Sequence, residues 1–452
     1  MKKDAPEKNS GDRVIEALAA HLRGRAGSYE IFFSSDAGLG VEAKDGCVDA
    51  LKVRSGRGVG LRTITGNRLG FGFSSVLTGP ALRELADKTV AGSIEASEDG
   101  FLAFPAPGAV PAPIEGLLDD KATGVSEEDK IASALAIEAA AMAYDPRIKR
   151  VRKASYGETL SSRRVVNSNG VDSRHSATYF SGSVTAVAED GESQMGWEMA
   201  ASHLRSGMDF AAIGAGAAKN AVRMLGARKP ASMKCPAIIE NVVVTELLET
   251  LAGSFLADNV SKGKSMLAGK LGVKVASGAV SIVDNGVMPG GWASSACDGE
   301  GVPKGVNVLL DKGVCAGYLY DTYWAARAGT ASTGSSVRSS FKGMAALGFS
   351  NLFMKAGEKD LSALLQEMGT GLYITELLGA HTMNPVNGDF SVGAAGIRVE
   401  GGAFAYPVRG MAVSGNLLEL FSKVAACASD LRFLGSVGAP SILIEEMEAS
   451  GS

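Results

Sequence analysis

Apolar positions recur along this chain with two different spacings. Near the start Val14, Ile15, Leu18, Ala19 and Leu22 fall at helical intervals, which predicts a helix with Asp12 as its N-cap. Residues 29–34 then read as a strand. From residue 38 to 75 short β runs broken by glycine predict a meander, with Thr65-Gly66-Asn67 turning one hairpin. Thr78 and Pro80 open a helix expected to reach about residue 96. Residues 101–113, which hold Pro105, Pro107, Pro111 and Pro113, are expected to form a stiff extended connector.

Ser126 starts a further helix to about residue 144, with Glu127 and Glu128 in a first turn that favours negative charge. Residues 147–158, 164–167 and 171–188 alternate as antiparallel strands, and Asn167-Ser168-Asn169-Gly170 supplies turn residues. A polar helix is expected over residues 209–228. Lys229-Pro230 marks the best boundary, since a new strand pattern begins at Ala237. Beyond it come an apolar helix over 242–257, a loop over 289–301 and hairpins over 307–320 and 398–406, the second turned at Gly401-Gly402. A last helix is expected over 417–426.

These elements predict an α+β fold. Residues 1–11 read as a flexible tail and 12–228 as an N-terminal domain of helices and antiparallel strands, its subregions 12–100 and 118–228 joined by the Pro-rich connector. Residues 230–452 read as a C-terminal, mostly antiparallel β domain with a long buried helix. A chain of 452 residues, 46% hydrophobic and 21% charged, is long enough for more than one core and excludes a disordered reading.

A net charge of -4 without a long Lys or Arg run argues against nucleic acid as a partner. No stretch reaches the ~18 apolar residues of a membrane span, and no apolar segment of signal-peptide type follows the N-terminus, so a cytoplasmic location with no membrane partner is expected. Cys47, Cys235, Cys297, Cys315 and Cys427 are scattered without a Cys-x-x-Cys pair, which reads as reduced thiols in the core.

Familiar catalytic patterns fail in detail. Gly263-Lys264-Ser265 would end a phosphate loop, but Asp258 stands where that loop needs glycine. Gly214-x-Gly216 lacks its third glycine, and Ser339-Ser340-Phe341-Lys342 has no companion motif. A hydrolytic zinc site needs imidazoles, carboxylates or thiolates at fixed spacing, yet His21, His175, His203 and His381 never fall within helical reach of one another. His21 reads as the polar side of the first helix, and His175 and His203 as strand residues at the surface or in sheet pairing. His381 alone lies in a segment of specialised composition.

That segment contains Asn384-Pro385-Val386-Asn387-Gly388-Asp389-Phe390-Ser391, which resembles the Asn-Pro-x-x-Gly-Asp-Phe-Ser signature of the TldD/PmbA family. Ser332-Thr333-Gly334, Asn351-Leu352-Phe353-Met354, Tyr406-Pro407-Val408-Arg409-Gly410 and Ser414-Gly415-Asn416-Leu417 are similar to family segments in the same order. In the active TldD branch a His-Glu-x-x-x-His helix binds zinc and supplies the general base. Registering Gly253 and Leu256 on the family pattern leaves Glu249, Thr250 and Ser254 at those three positions. The cysteine that completes the TldD site is missing from residues 430–438, and Cys427, in a helical pattern just before, is taken as core.

The losses resemble the TldE/PmbA branch. The resemblance implies the non-catalytic subunit of a heterodimeric zinc metalloprotease that processes or degrades unfolded peptides, including peptide maturation. It implies no catalytic or metal residue and no cofactor in this chain, with zinc in a TldD-like partner and a peptide or unfolded polypeptide as substrate. His381, Asn384 and Asp389 are the candidate substrate contacts. A plain β-turn at Asn384-Pro385 and Asn387-Gly388, with Asp389 capping backbone amides, explains the same residues structurally. Two alternatives stand beside it: a homodimeric peptidase whose metal site draws on Glu249, His381 or Cys427, and a peptide-binding maturation chaperone.

Overall fold

The computed structural model describes residues 10–109 and 112–451. The expected tail lies outside them up to residue 9, as do Val110 and Pro111 of the connector, whereas Gly11 is already helical. The first half consists of α1 (Ser10–Leu22), β1 (Ser28–Lys44), β2 (Cys47–Thr65), β3 (Arg68–Ser74), α2 (Gly79–Glu95), α3 (Glu127–Tyr144), β4 (Ile148–Asn167), β5 (Asp172–Glu189), β6 (Ser193–Ser202) and α4 (Phe210–Val222). Its strands form one antiparallel sheet in the order β3-β2-β1-β4-β5-β6.

Several local expectations need correction. Asp12 lies inside α1 instead of capping it, and its carboxylate accepts a hydrogen bond from Arg164 Nη1 at 2.5 Å. The meander is present as β1, β2 and β3 paired in chain order, but β1 and β2 are long strands and not short runs, because the stretch of β2 at residues 52–57 is solvent-exposed and hides the period. Gly66 and Asn67, with φ of 57° and 58°, make the expected tight turn into β3. Ser126 caps α3 by accepting from the Asp129 amide at 3.0 Å, and Asp209 caps α4 by accepting from Ala212 at 2.9 Å. α4 ends at Val222, six residues before 228, and it is apolar: Ile213, Ala217, Ala218 and Ala221 are buried. Gly214 lets it lie against α3, since a Cβ there would stand 2.2 Å from the Ile137 carbonyl.

All four helices pack on one face of this sheet. Val14 and Leu18 of α1 meet Ile31, Phe33 and Leu61, while Ile137 of α3 and Ile213 of α4 meet Val41, Tyr156 and Val184. Alternation then turns Glu30, Phe32 and Ser34 of β1 to the opposite face, which the second half of the chain covers.

That half contains β7 (Met233–Ile239), α5 (Asn241–Ala252), α6 (Ala257–Ser261), β8 (Ile282–Asn285), β9 (Val306–Asp311), β10 (Val314–Cys315), α7 (Thr322–Ala328), β11 (Ser336–Val337), β12 (Ala346–Leu347), β13 (Leu352–Met354) and α8 (Leu361–Met368). It continues with β14 (Gly371–Leu378), β15 (Asp389–Glu400), β16 (Ala403–Asn416), α9 (Leu417–Ser422), β17 (Val424–Cys427), β18 (Arg432–Leu434), β19 (Val437–Ala439) and β20 (Ile442–Ser450). One sheet runs β16-β15-β14-β7-β20-β17, and β16 also pairs with β20, so five of its strands close a barrel. A second sheet runs β10-β9-β8-β13-β19-β18. The pairing is mostly antiparallel, with β7–β14 and β13–β19 parallel, and the class is α+β as the patterns predict.

The expected helix over 242–257 stops at Ala252, and a 3-10 turn at Gly253–Phe255 leads into the short α6. The expected helix over 417–426 is α9 followed by β17, so Cys427 sits in a strand. Among the described residues no helix is long and apolar enough to cross a membrane.

The halves are tied by buried charge. Glu30 accepts from Arg62 Nε at 2.9 Å and Nη2 at 2.6 Å and also from Arg338, and Arg62 Nη2 reaches Glu300 at 2.8 Å. Burial alone would raise the Glu30 carboxyl, but the Arg338 and Arg62 guanidiniums outweigh it and hold the group below the usual carboxylate range. His203 is a second tie and not a surface or strand residue. It is buried just past β6, with Nδ1 2.6 Å from the Thr178 carbonyl and Nε2 3.1 Å from that of Gly291.

Candidate functional site

α5 is helical and central for one reason. Val243, Val244, Leu247, Leu248 and Leu251 form one apolar stripe along it and bury that face in the core between the two six-stranded C-terminal sheets. Its N-cap residue Glu240 receives both terminal nitrogens of Arg223 at 2.8 Å, which fixes α5 to the end of α4. The helix therefore presents a few polar side chains from a rigid support.

Glu249 is exposed on this helix. Thr250 Oγ1 donates back to the Glu246 carbonyl at 3.1 Å and lies 3.9 Å from Met383 Sδ. Ser254 is fully buried in the 3-10 turn, its hydroxyl without a partner and its carbonyl accepting from Ser265 Oγ at 2.7 Å. One carboxylate and two hydroxyls, one of them committed to the backbone, do not fit a catalytic zinc, which takes imidazole, thiolate and carboxylate donors. Among the described residues no three His, Cys, Asp or Glu side chains are grouped closely enough to hold a metal ion. Cys427 lies in the apolar core, 3.4 Å from the Ala279 carbonyl and 3.8 Å from Met354 Sδ, and burial pushes its thiol up to about 11. A thiol so placed resists forming the thiolate that a metal would bind.

The sequence reading missed an acidic patch beside these positions. Desolvation first, then the Glu249 and Glu376 carboxylates, push the half-buried Glu246 up to about 7. Glu246 and Glu249 share a helix face by their spacing, but nothing local could have placed Glu376 of β14 next to them.

The structure brings the signature segment against α5 through Met383, a buried side chain beside Thr250. His381 is exposed on the 3-10 turn Ala380–Thr382 that leads into it. Asn384, not Asp389, caps the turn: its Oδ1 accepts from the Val386 and Asn387 amides at 2.9 and 3.3 Å, and its carbonyl accepts from Gly388 at 2.9 Å. Asp389 accepts instead from side-chain amides, Asn387 Nδ2 at 2.8 Å and Asn416 Nδ2 at 2.9 Å. Gly388, with φ of 83°, needs its missing Cβ for this bend. Asn384 Oδ1 and both Asp389 oxygens are thus engaged in holding the turn, while His381 makes no hydrogen bond of this kind among the described residues and is the more available group.

Comparison with known proteins gives these parts a common frame. Residues 29–93 match the PmbA/TldA metallopeptidase domain 1 family, residues 120–225 the central domain and residues 232–451 the C-terminal domain. The chain is 27% identical over 449 residues to the metalloprotease PmbA of Escherichia coli, spanning 96% of each. It is 25% identical over 439 residues to a metalloprotease TldD homolog of Haemophilus influenzae, spanning 90% of each. A Thermotoga maritima protein, crystallised as a candidate modulator of DNA gyrase, superposes with a TM-score of 0.90 at 26% identity over 97% of this chain and 100% of the other. TldE from Thermococcus kodakarensis shares the fold with a TM-score of 0.89 at 22% identity over 97% and 100%.

Proposed function

Because the chain belongs to the TldD/PmbA family of metallopeptidases, we propose that it is the non-catalytic, TldE-type subunit of a two-chain zinc metalloprotease acting on unfolded peptides. The observation that carries this reading is the donor set at the end of α5 and in the 3-10 turn after it, where Glu249, Thr250 and Ser254 replace the ligands and base of the active branch. Zinc then belongs to a TldD-like partner, and this chain contributes surface to the shared cleft, with His381 an exposed imidazole just ahead of the signature turn. Peptide maturation falls within the same chemistry, since limited cleavage and degradation differ only in the substrate offered. Five cysteines, none in a disulfide, agree with a cytoplasmic setting.

Metal analysis and peptidase assays of each chain, alone and mixed with a TldD-like chain, test the proposal. This chain alone should carry no stoichiometric zinc and cleave nothing, and activity should appear on mixing. In the mixture Glu249→Ala should keep activity within about twofold, because an exposed carboxylate at a former ligand position holds no zinc, whereas removing a ligand of a working zinc site would stop catalysis. Zinc bound by this chain alone, with cleavage that a chelator stops, would refute the reading in favour of a homodimeric enzyme. Peptide binding by the mixture without cleavage would refute it in favour of a maturation chaperone.

A further inference from the structure

Between the N-terminal sheet and the loops of the second half lies a cavity of about 480 Å³, the size of a small-ligand site. We propose that it binds a small monocarboxylate carried on an apolar or aromatic body. This goes beyond the proposed function and does not rest on it, since Glu249, Thr250, Ser254, His381, Asn384 and Asp389 all lie elsewhere.

The cavity floor follows from strand register. β1, β4 and β5 place Asp36, Ser161 and Ala177 in one row and Ser34, Arg163 and His175 in the next. Ser161, Arg163 and His175 therefore form one patch on the face turned away from the helices. The Arg163 guanidinium makes one long hydrogen bond, 3.4 Å to the Arg338 carbonyl, and no ion pair among the described residues. Beside it the Ser161 hydroxyl, in a residue 2% exposed, has no partner. Ser336 and Arg338, 1% and 5% exposed, line the same cavity, and Ser336 Oγ and Arg338 Nη1 are also unpartnered. A guanidinium N–H can only donate, and a buried donor left unmade costs free energy, so these groups together ask for acceptor oxygens.

A planar carboxylate matches a guanidinium through two parallel N–H···O contacts. Asp36 lines the cavity as well, and Asp298, whose carboxyl burial pushes up, adds negative charge once ionised, so a ligand with one negative charge fits better than a dianion. Asp298 does not compete for Arg163: its oxygens accept from the amides of Glu300, Val302 and Ser336 at 2.9, 2.9 and 3.0 Å. Lys304 is likewise engaged, donating to the Ala293 carbonyl at 3.1 Å. Aromatic side chains form part of the remaining wall. Tyr179 and Trp292 stand edge to face with centroids 4.8 Å apart, and Phe32 and Phe349 line the cavity with them, which suits a flat or branched apolar body.

Calorimetric titration of the full chain near neutral pH with N-acetyl-phenylalanine, its neutral amide and inorganic phosphate tests the assignment. The carboxylate should bind at one saturable site, with the amide and phosphate each about tenfold weaker or worse. Arg163→Met should weaken the carboxylate about tenfold or more with the thermal midpoint kept near that of the parent, and Ser161→Ala, a milder change that secures the test if the first variant misfolds, should weaken it several-fold. No saturable heat up to about 10 mM, equal binding of acid and amide, preference for phosphate, or full affinity in the Ser161 variant would each overturn the proposal.

Discussion

The two faces of the N-terminal sheet are held by different physics. On one, α1 to α4 sit on alternating apolar residues, and glycine and alanine let α4 approach α3 closely. On the other, Glu30, Arg62, Glu300 and Arg338 form a buried ionic cluster beside a polar cavity. The first contact is spread over many small hydrophobic increments, so no one residue dominates it. The second concentrates its energy in a few charges that tolerate burial only while all their partners are present. The comparison predicts that single changes on the charged face cost more than single changes on the helix face.

The largest expected effect follows from Arg338→Ala. It leaves Glu30, fully buried, with Arg62 as its remaining ion-pair partner among the described residues, and breaking a buried pair from one side costs about 3–5 kcal/mol. Chemical denaturation should report that loss, and a cost below about 1 kcal/mol would show that the cluster is screened and the two faces are alike.

Next comes Gly214→Ala on the helix face. In an exposed helix this change would stabilise by roughly 1 kcal/mol. Here the new Cβ meets the Ile137 carbonyl at 2.2 Å and the Ala141 amide nitrogen at 2.8 Å, so α4 must move, and overpacking should cost about 1–3 kcal/mol. A stabilising outcome would mean that α3 and α4 slide apart freely and that the helix face is less tightly packed than the charged one.

The same contrast decides what could be read from the sequence. Helix-face elements were legible because their signals are local: Ser126 and Asp209 cap where expected, Gly66-Asn67 turns β2 into β3, and the apolar spacing of α1 holds. Asp12 looked like a cap but is bound by Arg164 from a distant strand. Residues 417–426 carry apolar positions that suit helix or strand, and pairing of β17 with β20 decides for strand after Ser422. The charged face was illegible because Glu30 and Arg338 are 308 residues apart in the chain. His203 looked like a strand residue for the same reason, since Gly291, its second partner, lies 88 residues on. At the candidate site the donor set of α5 and its following turn was legible from residue types, whereas the engagement of Asn384 Oδ1 and the Asp389 carboxylate in holding the signature turn needed coordinates.

The smallest expected effect is one of pH, and it separates the faces most cleanly. His175 is pushed down to about 4, first by burial and then by the charges of Arg163, Lys304 and His203. An unfolded imidazole titrates near 6.5, so between that pH and about 4 the unfolded chain binds a proton that the folded chain resists. Stability from this group is therefore present above pH 6.5 and lost as pH falls toward 4. Asp298, pushed up to about 7 by burial first and Glu300 next, acts in the opposite sense and is lost as pH rises through that range. Comparing His175→Gln with the parent cancels that term, because Asp298 is present in both. The variant should recover about 1 kcal/mol of the stability otherwise lost between pH 7 and 4.5, the partial exposure of the ring keeping the effect small. Gly214→Ala, on the other face, should show the same deficit at both pH values. A deficit in that variant that changes with pH as much as the histidine effect would mean the helix face also titrates, and the division between the faces would fail.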